Sequence, residues 1–180
     1  MLQRYALSSL SGALRSEIIF LESIIMNSNH FPISTEALQA ALPHRKPMVW
    51  IRNVLAAGET TGTCQVLLEP GSLEFGENGL RQSTLLEWMA QGFGFANFCY
   101  TRITPKQTFL AQAQNIEYCA PEIWNEFVKA ASLGTEAFVE GKITRQLGPI
   151  SLVEANVFWN RVDKVILAKG QMKLFKGDSP

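Results

Sequence analysis

Residues 82–101 run for twenty positions with a single charge, Glu87. The rest of the stretch is Leu, Trp, Met, Ala, Phe, Gly and small polar residues. Read as a helix it would be about 30 Å long at 1.5 Å per residue. Such a helix is apolar nearly all round, so it must be covered on most of its sides. A bilayer is one possible cover, since about 20 apolar residues suffice to span it. Gln82, Gln91 and Asn97, and the β-rich, soluble character of the flanking sequence, favour cover by the chain's own strands.

Those strands are visible in the pattern. Residues 48–57 read as a mostly buried strand. Residues 61–69 set Cys64, Val66 and Leu68 against Thr63, Gln65 and Leu67, pairing back through a turn centred on Gly58. Downstream, residues 109–119, 126–133, 138–147, 150–159 and 165–175 alternate or run apolar. Pro121, Gly134, Gly148-Pro149 and Asp163-Lys164 separate them, and Gly148-Pro149 predicts a hairpin. Ser34 is placed to cap a short helix over residues 34–41. One apolar helix and a continuous antiparallel sheet satisfy each other only if the sheet curls around the helix. The expected class is therefore α+β, the hotdog fold, a curved antiparallel sheet wrapped around one long buried helix. It would form a single domain over residues 34–180, with residues 1–33 as a peripheral or poorly ordered N-terminal extension.

Composition agrees with a large core. Hydrophobic residues make up 47% of the chain and charged residues 18%, below the roughly 25% of an ordinary domain. This excludes a disordered chain and leaves room for an apolar partner surface. Sixteen basic residues cancel sixteen acidic ones, so the footprint of a nucleic-acid binder is missing. Cys64, Cys99 and Cys119 are odd in number and lack CxxC spacing; they read as apolar thiols in a reducing, cytoplasmic setting. Only two histidines occur, His30 and His44, which excludes a His-rich metal site; no metal or cofactor is expected. Near the N-terminus, Ile18, Ile19, Phe20, Leu21, Ile24 and Ile25 are interrupted by Arg15, Glu17 and Glu22. That segment is neither a secretory core nor long and apolar enough to span a bilayer, so no integral membrane segment is expected. It reads as an amphipathic helical extension that packs on the domain or on a partner. The alternative is an upstream start, with Met26 as the biological first residue.

Three features carry chemistry. Glu87 sits in the first turns of the apolar helix, where burial would raise its pKa and make it a proton donor near neutrality. Gln91, four residues on, shares its face and can bond the carboxyl. The alternative for Glu87 is a structural acid paired with Arg52 or Arg81. The helix N-terminus around residues 79–83, with Gly79, offers backbone N–H groups that can polarise a carbonyl. Finally, Pro43 and Pro47 bracket His44-Arg45-Lys46, holding an imidazole in a stiff turn at the mouth of a strand.

Leu42-Pro43-His44-Arg45-Lys46-Pro47-Met48, followed about forty residues later by Leu85-Leu86-Glu87-Trp88-Met89-Ala90-Gln91, resembles the FabZ/FabA-type β-hydroxyacyl-acyl-carrier-protein dehydratases over roughly residues 36–175. The resemblance implies a hotdog dimer that removes water from a 3-hydroxyacyl thioester carried on the phosphopantetheine of acyl carrier protein. Glu87 then corresponds to the family's helical acid and Gln91 to the glutamine that follows. The family's histidine, in a Gly-His-Phe-Pro loop about fourteen residues before the acid, is missing; Gly71-Ser72-Leu73-Glu74-Phe75 stands there instead. The chain is most similar to the divergent dehydratase-like subunits of aryl-polyene lipid synthesis, whose motif is the Leu-Pro-His turn itself, which makes His44 the base.

On that resemblance, His44 takes the C2 proton, Glu87 protonates the departing C3 hydroxyl, and a 2-enoyl thioester results in fatty-acid or aryl-polyene-type synthesis. The acyl tail would lie along the helix against Trp88, Phe95 or Phe98, although aromatics at this spacing also read as plain core. An acidic carrier would meet Arg45, Lys46, Arg52, Arg81 or Lys106. The partner is a second copy or a hotdog paralogue. Two other functions fit the same residues: a catalytically weak subunit of a heterodimeric dehydratase, and a hotdog acyl-thioesterase.

Overall fold

The computed structural model describes residues 31–38, 49–68, 80–101 and 108–176. Ten elements follow in order: β1 (Ile33–Ser34), α1 (Thr35–Leu38), β2 (Ile51–Ala57), β3 (Thr61–Leu67), α2 (Thr84–Thr101), β4 (Thr108–Tyr118), α3 (Pro121–Ser132), β5 (Glu136–Leu147), β6 (Ile150–Trp159) and β7 (Val165–Lys176). The Ser34 hydroxyl accepts the Ala37 N–H at 3.3 Å, the capping bond its position promised. Next to it, the Thr35 hydroxyl donates to the Ile51 carbonyl and ties α1 to β2.

The seven strands form one sheet in the order β1-β2-β3-β5-β6-β7-β4, with every neighbouring pair antiparallel. Helix α2 lies in its concave side against β2, β3, β5 and β6, and this is the hotdog arrangement. Alternation supplies the lining. Cys64, Val66 and Leu68 of the β3 strand and its end face inward, as do Ala137 and Val139 of β5 and Val153, Ala155 and Val157 of β6. They meet Leu85, Trp88, Met89, Phe95 and Ala96 of α2, all buried. The Gly148-Pro149 turn joins Leu147 to Ile150 as a two-residue hairpin, and Gly148 takes φ +57°, the first-position geometry of a type II′ turn.

One element departs from the sequence pattern. Residues 126–133 read as a strand, but residues through Ser132 belong to α3 and Leu133 closes it. The apolar positions Ile123, Trp124, Phe127, Val128 and Ala131 recur at helical spacing once Pro121 is taken as the first helical residue. A short window from residue 126 hides that period. Phe127 is fully buried, with its ring 5.7 Å from Trp124 and 5.9 Å from Trp159.

How close the sheet comes to the helix is set at Gly62, where a Cβ would stand 2.2 Å from the Ala96 Cβ. Backbone atoms of Ala56 on β2 and Ala96 on α2 flank that point, so neither side yields freely. Gly62→Ala is expected to destabilise the fold by about 1–3 kcal/mol through overpacking, read as a lower midpoint in urea denaturation.

Candidate active site

Glu87 and Gln91 stand one turn apart on α2. The Gln91 Nε2 donates to the Glu87 Oε1 at 2.9 Å. Gln91 itself is 3% exposed, and its Oε1 accepts the backbone N–H of Trp50 at 3.3 Å. The second bond dictates the first. An amide whose oxygen is held by Trp50 must turn its NH₂ the other way, toward the carboxyl. Among the described residues, Gln91 thus fixes one oxygen of the Glu87 carboxyl.

Glu87 is half-buried rather than sunk, so the full desolvation expected of it is not reached within one chain. The reason is geometric. The core face of α2 runs through Leu85, Trp88, Gln91, Gly92, Phe95 and Ala96, whereas Glu87 flanks that face beside Leu86 and Ala90, also half-buried. Arg52 and Arg81 are exposed, and the ion pairs among the described residues, Lys164–Glu140 and Lys169–Glu117, do not involve Glu87.

The other singled-out residues divide by location. Trp88 and Phe95 are buried core residues between helix and sheet. Trp88 Nε1 and Trp50 Nε1 are buried with no hydrogen-bond partner among the described residues. At the helix start, Thr84, Leu85 and Leu86 donate to the carbonyls of Arg81, Gln82 and Ser83 at 3.1, 3.0 and 3.2 Å. Any backbone donor left for a carbonyl therefore lies upstream of Thr84. His44 and Gly79 lie outside the described residues. Trp50 is the contributor that sequence reasoning missed: its role is a backbone N–H, and no side-chain pattern announces one.

No group of three or more metal-ligating side chains occurs among the described residues, and no helix among them is long and apolar enough to cross a membrane. The cysteines are all free. Cys64 donates to the Gly92 carbonyl at 3.1 Å, and burial, with Cys99 nearby, pushes its pKa up. Burial pushes Cys99 up to about 12 and raises Cys119 more modestly.

Comparison with known proteins places this geometry. A model of the ApeP-like family, described as ApeP dehydratase, matches residues 36–110, a span that includes both the Leu-Pro-His turn and the Glu87–Gln91 helix. Among solved structures, the dehydratase heterocomplex ApeI:P from Xenorhabdus doucetiae is 18% identical with a TM-score of 0.65, covering 84% of this chain and 94% of that one. An uncharacterized protein, PH1136 from Pyrococcus horikoshii, is 11% identical with a TM-score of 0.53, covering 83% and 97%. A mutant hypothetical thioesterase protein from Streptococcus pneumoniae TIGR4 is 10% identical with a TM-score of 0.50, covering 70% and 90%. The search of curated proteins gave no match. The fold and the likeness to the dehydratase branch, close to the aryl-polyene subunits, stand as read from the sequence.

Two outcomes follow from the site. Gln91→Ala strips the Trp50 N–H and the Glu87 carboxyl of a shared partner, and a loss of about 1–3 kcal/mol is expected in thermal or urea denaturation. Thiol alkylation near pH 8 is expected to spare Cys64 and Cys99 until the chain is unfolded. Their folded pKa values lie above the ordinary 9.0, so the stabilisation they contribute is complete below pH 9 and lost as pH climbs beyond it. Urea titrations between pH 8 and 11 read that decline directly.

Proposed function

We propose that the chain is a dehydratase-type hotdog subunit that converts a 3-hydroxyacyl thioester, carried by acyl carrier protein, to the 2-enoyl thioester. The observation that carries this reading is the Trp50–Gln91–Glu87 relay, which holds one oxygen of a helix-borne acid in a fixed direction. His44, seven residues ahead of β2 in the sequence, takes the C2 proton as the C2–C3 double bond forms and the C3–O bond breaks. Glu87 Oε2 gives its proton to the departing hydroxyl, which leaves as water. Return of the proton from imidazolium to carboxylate resets the site. The thioester carbonyl is polarised by backbone donors ahead of Thr84.

Arg52 and Arg81, both exposed near this end of β2 and α2, suit an acidic carrier. A cytoplasmic setting belongs to the same reading. Strand β4 ends the sheet order, and Leu110, Tyr118, Tyr100 and Phe175 are exposed on or near it. That edge suits a second hotdog chain, a second copy or a paralogue. The ApeI:P complex is itself a dehydratase heterocomplex, which favours the paralogue and with it a supporting role for this chain as the second reading.

The test is turnover of a 3-hydroxyacyl thioester on acyl carrier protein by the full chain, alone and with a copurifying hotdog partner, followed as enoyl formation. Glu87→Gln and His44→Ala are each expected to lower the rate about 10²–10⁴-fold, with unfolding midpoints nearly unchanged. Turnover that survives both substitutions in the complex makes the chain a support subunit. Free thiol released from a plain acyl thioester, with no enoyl product, makes it a thioesterase.

A further inference from the structure

Two glycines stand two residues apart on α2 in opposite surroundings. A Cβ on Gly92 would lie 3.0 Å from both Cβ and Cγ1 of Val139 on β5, so that glycine lets the helix lie against the sheet. A Cβ on Gly94 would meet nothing within 4 Å. Gly94 is helical and half-buried, and it does not have the positive φ that would call for glycine. A glycine inside a helix is destabilising relative to alanine. Close packing explains Gly92. Neither packing nor backbone conformation explains Gly94.

The position of Gly94 on the helix gives the space beside it a use. It follows Glu87 by seven residues, two turns less about 20°, so the two share one flank about 10.5 Å apart along the axis. Ala90 lies between them, half-buried as they are. By contrast, the side chains against which the sequence sets an acyl tail are taken up by their own packing. Trp88, Phe95 and Phe98 are 0%, 2% and 3% exposed, and all three belong to the core between helix and sheet. Phe93 is closed in as tightly, since a Cβ on Gly141 of β5 would lie 2.7 Å from its ring.

We propose that the acyl chain of the substrate lies along the Glu87 flank, over Ala90 and Gly94, and that Gly94 sets how long a chain is accepted. This rests on the reading of Glu87 as the acid that acts on a 3-hydroxyacyl thioester. In that reading the thioester carbonyl lies at the start of α2, so the tail heads toward the end of the helix. Ala90 and Gly94 carry no side-chain donor or acceptor, which suits a hydrocarbon. An extended chain of ~1.5 Å bonds covers the distance from Glu87 to Gly94 in about eight bonds. A six-carbon chain therefore ends short of Gly94, and a fourteen-carbon chain passes it.

The test is Gly94→Leu in the full chain, with its copurifying hotdog partner. Leucine fills open space and removes a helical glycine, so the urea midpoint is expected at or above that of the wild type. For enoyl formation, kcat/KM on 3-hydroxytetradecanoyl relative to 3-hydroxyhexanoyl acyl carrier protein is expected to fall tenfold or more. Equal losses on both substrates, no loss, or a wild type that turns over only the shorter one would overturn the proposal. A second measurement needs no turnover. The pantetheine thioester of a saturated fourteen-carbon acid, with a diazirine near the chain end, is expected to label residues 90–101 in the wild type and to lose that label in Gly94→Leu. Labelling there without any enoyl product upholds the acyl flank and removes the dehydratase reading. Label in the strands, or none, overturns the flank whatever the turnover. Should Gly94→Leu not fold, the position of the label in the wild type decides.

Discussion

Burial of α2 is the constraint on which the rest of the molecule depends. A helix with one charge across eighteen residues has no polar face to offer water, and its apolar area is worth about 25 cal/mol per Å² once covered. A flat sheet covers one side of such a helix. Only a curved sheet reaches round it, and curvature demands close approach in the middle. Gly62 against Ala96 provides that approach, and the Cys64–Gly92 bond pins the same stretch. Beside β5, Phe127 of α3 packs against Trp159 of β6 with ring centroids 5.9 Å apart.

The same enclosure creates the site. Because Gln91 faces inward toward the start of β2, its amide is forced to answer the Trp50 N–H, an obligation any buried backbone donor imposes. The carboxyl of Glu87 inherits its orientation from that obligation. Packing thus does the positioning, and among the described residues no ion pair holds the acid. Its flank, beside Leu86 and Ala90, is half-buried.

The sheet is unusual in being apolar on both faces over β5 and β6. Its inner face meets α2 through short side chains, Ala137, Val139, Ala155 and Val157, while its outer face carries the stacked rings of Phe138 and Phe158. An outer layer on the convex side and a core layer on the concave side can coexist because strand alternation separates them completely.

The helix and most strands were legible in the sequence because their signals are local: an uncharged run, alternation of inward and outward residues, a Gly-Pro hairpin. The interval 126–133 was not, since eight residues cannot separate a strand from the second half of a helix whose start lies at Pro121. By itself the sequence determined that a long apolar helix needs enclosing, and that an acid and an amide share one of its faces. Only the tertiary structure decided where the amide turns, because Trp50 and Gln91 are 41 residues apart and a backbone N–H carries no residue signature. It also decided that Phe138 and Phe158 face outward together, which depends on the register of β5 against β6. Register is a relation between distant segments, and local pattern holds no record of it.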